Sequence, residues 1–211
     1  MSLPYDAVAA SHVLADVDPR LGAVIARIGP PRITLRPDET LPALLRAIVG
    51  QQISTKAAAT IHGRVLTAFG DGTALEVDAI AEADDDALRA CGLSRSKVAA
   101  VRDLVGRQRD GTLPTRDRLL QMADDEVVAA LTAVRGVGPW TAQMVLLFNL
   151  GRPDVWPVAD LGVQEGYRIL AGLGARPTAR EMVAIGAPYA PWRSVAAWYG
   201  WRALHEARGE E

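Results

Sequence analysis

From Leu41 onward the apolar residues recur at helical rather than strand spacing, and this restricts the chain to an all-α fold. Leu41, Leu44, Leu45, Ile48 and Val49 follow the i, i+3, i+4, i+7, i+8 stripe of a core-facing helix, with Pro42 in its first turn and Gly50 at its end. A second helix is predicted from Ser54 as N-cap to Phe69, where Gly-Asp-Gly stops it. Further helices are predicted near residues 96–107, 125–133, 140–150, 161–170, 179–185 and 192–206. No alternating run is long enough to pair into a sheet. The connector GPPRITLRPDETLP, with four prolines, reads as an extended link between an N-terminal helix and the rest. No repeat of about 20 to 50 residues is found.

Composition narrows the function classes. At 211 residues the chain has room for one large domain or two lobes. No window approaches the length of apolar run that spans a bilayer, and the N-terminus MSLPYDAVAASH lacks a basic region followed by an apolar stretch. The expectation is therefore no membrane, no secretion signal and a cytoplasmic protein. The single Cys91 cannot by itself form a disulfide, a zinc site or an iron–sulfur cluster. A net charge of −2 is not the global signature of a nucleic-acid binder, so any such contact must be local. Glu76 to Arg89 holds six acids and one base, and Arg95 to Arg118 seven bases and three acids; both runs read as solvated helix faces.

The most informative segment is LTAVRGVGPWTAQMVLLFNL, residues 131–150. A helix ends near Val134, Arg-Gly-Val-Gly supplies two glycines that tolerate a tight turn, and Pro139 takes the first position of a new helix. Amides around Gly136 to Trp140 are predicted to point outward at that helix start, where free N–H groups and the dipole favour an anion such as phosphate. A plain αα-hairpin is the competing reading. Asp160, twenty residues after Trp140 and just before an apolar helix, reads first as an N-cap. Five of the eleven aromatic residues are tryptophans; Trp156, Trp192 and Trp198 read as core, while Trp140 and Trp201 stay open between core and binding roles.

Four segments in order, LLRAIVGQQISTKAAATIHGRV, VRGVGPWTAQMVLLF, WPVADLGV and PWRSVAAWYGW, resemble the helix-hairpin-helix superfamily of DNA glycosylases, and within it the 3-methyladenine DNA glycosylase II branch. The resemblance implies an all-α, two-lobed monomeric enzyme without an N-terminal β domain, its site in the cleft. One helical lobe would span 41–150, with the hairpin at 131–150, and 1–40 plus 151–211 would form the other. It implies a double-stranded DNA partner containing alkylated bases, held at its backbone by Arg135, Gly136, Val137, Gly138, Trp140 and Thr141. It further implies Asp160 as catalytic carboxylate, Trp140, Trp201, Met144 and Leu161 as base pocket, and Gln52 as a wedge filling the gap left by the flipped nucleotide. No cofactor is implied beyond a monovalent cation, Na+ or K+, on the carbonyls of Thr132, Val134 and Val137.

The chemistry explains how one acid suffices. An N3- or N7-alkylated purine is cationic and leaves as a neutral base, so a carboxylate need only stabilise the oxocarbenium-like sugar and orient water. Members with lyase activity carry a lysine just after the hairpin, where this chain has Trp140, so imine chemistry is not expected. The endonuclease-III-like branch needs four cysteines. Two departures bear on substrate range: Ala159 stands where many relatives have a second acid, and Met144 and Leu161 stand where a bacterial relative has tyrosines. A non-enzymatic helix-hairpin-helix DNA-binding module, or another glycosylase branch, is the alternative.

Overall fold

The computed structural model describes residues 2–210. Their regular structure is helical, and the only β pairing among them is an isolated bridge between Gly70 and Leu75. No helix among them is long and apolar enough to cross a membrane. The chain divides into two compact units, Met1–Arg36 with Leu146–Glu211, and Pro37–Val145.

The first unit begins with α1 (Ala7–Val17) and α2 (Pro19–Ile28). What reads as one N-terminal helix is thus broken at Asp18, which caps α2 ahead of Pro19 at its first position. Asp18 is buried, accepts from the Tyr189 hydroxyl at 2.7 Å and pairs with Arg20 at 3.1 Å. Burial alone would raise its carboxyl, but the bonds from Arg20 and Tyr189 outweigh this and hold it below the usual carboxylate range.

The second unit holds α3 (Thr40–Gly50), α4 (Thr55–Ala68), α5 (Val77–Glu82), α6 (Asp85–Ala90), α7 (Arg95–Arg109), α8 (Arg116–Gln121), α9 (Asp124–Thr132) and α10 (Pro139–Val145). The predicted stripe of α3 is buried, and α3 packs on α7, whose Val98, Val101, Leu104 and Val105 are also buried. Ser54 caps α4 and Ser94 caps α7 by accepting from amides three residues on. The acid run forms α5 and α6, and Arg102 of the basic α7 ties their connection down by donating to the carbonyls of Ile80 and Ala83 and pairing with Asp85. The charge runs are therefore partly paired rather than wholly solvated.

The first unit resumes with a π-helical turn, Leu146–Leu150, followed by α11 (Leu161–Leu170), α12 (Ala179–Gly186) and α13 (Arg193–Ala207). A single α-helix over residues 140–150 was expected; instead the ladder widens at Leu146. The Arg152 amide reaches back to the Leu146 carbonyl at 2.9 Å, and Gly151 at φ 70° ends the turn. The proline-rich link is extended, as read. Arg36 docks it on the turn, its amide donating to Phe148 O at 2.7 Å and its carbonyl accepting from the Asn149 side chain at 2.8 Å. The core gathers α1, α2, α11 and α13 around Tyr167, Tyr199 and Trp156, whose indole donates to Met182 O at 2.6 Å. Trp192 and Trp198 pack at its margin.

Candidate active site

In the first unit the site is built where α11 starts against α13. Asp160 is the N-cap of α11, its Oδ1 accepting from the Val163 amide at 2.8 Å, as its place before an apolar helix predicts. The same oxygen accepts from the Trp201 indole nitrogen at 2.9 Å. Two glycines make that approach possible: a Cβ at Gly166 would overlap the Gly200 carbonyl, so α11 and α13 cross backbone to backbone one residue from Trp201. Gly162 completes the seat, since a Cβ there would lie 2.9 Å from Trp201 Cδ1 and 3.1 Å from Asp160 Oδ1.

The Trp201 ring lies 5.6 Å from that of Phe148, tilted by 35°. Its indole is thus committed to the carboxylate and to Phe148, which gives it a role in holding Asp160 beside the stacking role the family resemblance implies. Asp160 is itself buried, only 7% exposed, while its neighbours Leu161 and Ala159 are exposed. A carboxylate with one oxygen fixed by two donors has little freedom to rotate, which is what electrostatic stabilisation of a transient cation requires.

In the second unit, α9 ends at Thr132 and the hairpin turn closes with two short bonds, Val134 N to Leu131 O at 3.1 Å and Val137 N to Val134 O at 3.0 Å. Gly136 has φ 79°, and a Cβ on it would meet Ala100 Cβ at 3.2 Å. Gly138 differs. Its φ is not in the left-handed region and a Cβ on it would meet nothing within 4 Å, so the turn itself asks for glycine at Gly136 only. The expectation that amides from Gly136 to Trp140 all open outward also needs correction: Val137 donates to Val134, and the neighbouring Arg135 amide donates to Asp103 Oδ2 at 2.8 Å. The side chains of Val137 and Thr141 are buried, whereas Arg135, Gly136 and Trp140 are exposed, Trp140 to 43%. Met144 lies half-buried on α10.

Gln52, in the turn between α3 and α4, is exposed and is the only non-glycine residue with positive φ among those described, at 58°. The left-handed conformation costs a non-glycine residue about 1–2 kcal/mol, so the surrounding loop must hold it there. Lys97 does so from α7, its Nζ donating to the carbonyls of Val49 at 2.8 Å and Gln51 at 2.9 Å, while burial lowers its ammonium below the usual lysine range. The Gln51 side chain in turn donates to Gly136 O at 2.9 Å.

The sequence thus picks out Asp160, Trp201, Gln52 and the hairpin as candidates but not what holds them: Gly162, Gly166, Gly200, Phe148, Lys97, Gln51 and Asp103. The glycines carried a signal. Glycine in a helix interior costs about 1 kcal/mol against alanine, and Gly162 and Gly166 sit four apart on α11, so a close approach was there to be read. Nothing local marked the others.

Residues 45–188 match the profile of the HhH-GPD superfamily of base excision DNA repair proteins. The chain is 33% identical over 172 residues to DNA-3-methyladenine glycosylase 1 of Schizosaccharomyces pombe, covering 82% of this chain and 75% of that protein. It is 28% identical over 203 residues to DNA-3-methyladenine glycosylase of Bacillus subtilis, covering 92% and 66% respectively. Among solved structures, the S. pombe 3-methyladenine DNA glycosylase in complex with abasic DNA superposes with a TM-score of 0.83 at 31% identity, over 92% of this chain and 95% of that one. The DNA-3-methyladenine glycosidase of Bacillus halodurans superposes equally well, with TM-score 0.83 and 31% identity over 99% and 94%.

Proposed function

We propose, since this chain belongs to the HhH-GPD superfamily of base excision DNA repair proteins, that it is a DNA-3-methyladenine glycosylase that hydrolyses the N-glycosidic bond of alkylated bases in double-stranded DNA. The observation that carries the reading is Asp160, with Oδ1 held by the Val163 amide and the Trp201 indole at the start of α11. Once an alkylpurine is turned out of the stack, its positive charge has already weakened the bond to the sugar. The base departs neutral with the electrons of the glycosidic bond, the Asp160 carboxylate stabilises the oxocarbenium-like sugar, and water oriented beside it adds to the anomeric carbon, its proton passing to the carboxylate and on to solvent. Trp140 offers an exposed indole face, which attracts a cationic base over a neutral one by roughly 0.5–2 kcal/mol.

The enzyme is monofunctional in this reading, because Trp140 stands where imine chemistry needs a lysine. DNA backbone is gripped at the hairpin by Arg135 and by Gly138, Trp140 and Thr141 at the start of α10, the amides of Arg135 and Val137 being bound internally. Thr132, Val134 and Val137 would hold a monovalent cation there: neutral carbonyl oxygens at a helix end suit such an ion, and the Val134 carbonyl keeps a second lone pair beyond the Val137 amide. When bound, the cation supplies positive charge toward a phosphate. The protein acts as a monomer in the cytoplasm. Mass-spectrometric identification of bases released from methylated DNA tests the reading; release of 3-methyladenine or 7-methylguanine is expected, and no release by the folded wild-type chain overturns it.

A further inference from the structure

Lys97, Ala100 and Asp103 lie at i, i+3 and i+6 on α7 and therefore share one face of that helix. Each engages a different part of two surface loops. Lys97 binds the carbonyls of Val49 and Gln51, at the end of α3 where helical carbonyls lack intrahelical donors and the dipole is negative. Ala100 packs beneath Gly136, where an added Cβ would come within 3.2 Å of the Ala100 methyl in a turn already at φ 79°. Asp103 accepts from the Arg135 amide and is itself oriented by Arg107 Nε at 2.8 Å. Gln51 closes the circuit, its carbonyl on Lys97 and its side-chain amide on the Gly136 carbonyl. The next residue is Gln52, held at φ 58°.

We propose that this face of α7 is a template that fixes the Gln52 loop to the hairpin, and that Lys97 and Gln51 are positioning residues for extrusion of the damaged nucleotide. Grip on the backbone at the hairpin and entry of Gln52 into the base stack are then one rigid event. The inference rests on the DNA-binding role proposed for the hairpin and on the wedge role that the family resemblance implies for Gln52. A lysine serving only solubility would leave its ammonium in water; Lys97 instead gives two of its three donors to carbonyls flanking the Gln52 turn. Positioning matters because a displacement on the order of 1 Å, caused away from the reacting atoms, can cost about a hundredfold in rate.

The test uses the full chain and a duplex with 2-aminopurine beside a tetrahydrofuran abasic analogue, in which insertion of a wedge unstacks the probe and raises its fluorescence. Lys97→Met, Gln51→Ala, Gln52→Ala and the Lys97→Met/Gln52→Ala double variant are compared for that rise, for single-turnover excision and for affinity to undamaged duplex. Lys97→Met and Gln51→Ala should each lower the rise and the excision rate about tenfold while affinity for undamaged duplex stays within about twofold. The double variant should be little worse than Gln52→Ala alone, since both changes remove one coupled step. Wild-type behaviour of both single variants, or losses at Lys97 and Gln52 that multiply, overturns the proposal; a plain helix-capping role for Lys97 lowers the melting temperature without this pattern. Should Lys97→Met not fold, Gln51→Ala, at a loop position, carries the same outcomes. A folded wild type that neither unstacks the probe nor releases base overturns the glycosylase reading beneath, whereas an active wild type with unaffected variants overturns this inference alone.

Discussion

Replacing Asp160 by asparagine and by alanine separates the charge of this side chain from its structural work. Asparagine keeps a carbonyl oxygen with two lone pairs, so it can still accept from the Val163 amide and the Trp201 indole. As an N-cap it is about as good as aspartate, so stability should change by no more than about 0.5 kcal/mol. What disappears is the negative charge, and loss of one electrostatic contact acting in the transition state typically costs about 10² to 10³ in rate. Alanine removes the charge and both acceptors. The lost cap is worth about 1 kcal/mol, and the half-buried indole N–H left without its acceptor adds about 1–2 kcal/mol. The sum of about 2–3 kcal/mol, at roughly 2–4 °C per kcal/mol for a protein of this size, puts the alanine variant about 4–12 °C below wild type. Single-turnover base release from methylated DNA, with thermal melts of the same samples, reads both effects. A rate for Asp160→Asn within about threefold of wild type refutes a catalytic charge at this position, and an alanine variant as stable as the asparagine variant refutes the claim that these two bonds hold the side chain.

Gly138→Ala should leave the melting temperature unchanged, because the turn offers a Cβ open space, yet weaken binding to DNA of any sequence if a phosphate approaches there; Gly136→Ala should lower both, its φ of 79° being strained for alanine. Equal affinity of Gly138→Ala and wild type in fluorescence anisotropy removes Gly138 from the interface. Borohydride should trap no covalent enzyme–DNA adduct, and the product strand should stay unbroken until treated with base, because Trp140 stands where a lysine would form an imine; a trapped adduct contradicts a monofunctional enzyme. On a panel of defined lesions, 3-methyladenine and 7-methylguanine should be excised much faster than normal purines, and Ala159, Met144 and Leu161 lead us to expect activity on ethenoadenine, 1-methyladenine or 3-methylcytosine as well; single-turnover rates confined to 3-methyladenine refute the wider range. Burial would raise the Asp103 carboxyl, but the Arg135 amide and Arg107 outweigh it and hold it below the usual range. Its contribution is then complete above the unfolded carboxylate value and fades as pH falls through the lower folded one. The gap in melting temperature between wild type and Asp103→Asn should accordingly narrow below about pH 4, and a gap unchanged on acidification refutes the assignment.

What the sequence determined by itself is whatever depends on residues within a turn or two of one another. The stripe of α3, the serine cap of α4, the Asp160 cap of α11 and the glycine turn after α9 all follow from i to i+4 geometry, and all are found where the residues place them. The order of four motifs was likewise enough to point to the family. Tertiary structure decided what each of these local features touches. Asp160 becomes a doubly held carboxylate only because Gly166 and Gly200 let α11 and α13 close to backbone contact, bringing in an indole 41 residues away. Gln52 acquires a rigid base only because α7 brings Lys97 under a loop 46 residues earlier in the chain, and Asp103 reaches an amide 32 residues later. The π-helical turn at Leu146–Leu150 is of the same kind: its register gives up ideal α geometry where Arg36, more than a hundred residues away, exchanges hydrogen bonds with Phe148 and Asn149. Propensity and periodicity act along the chain, whereas the partners of a polar side chain are chosen by how helices pack, and at that range a single missing Cβ outweighs any local preference.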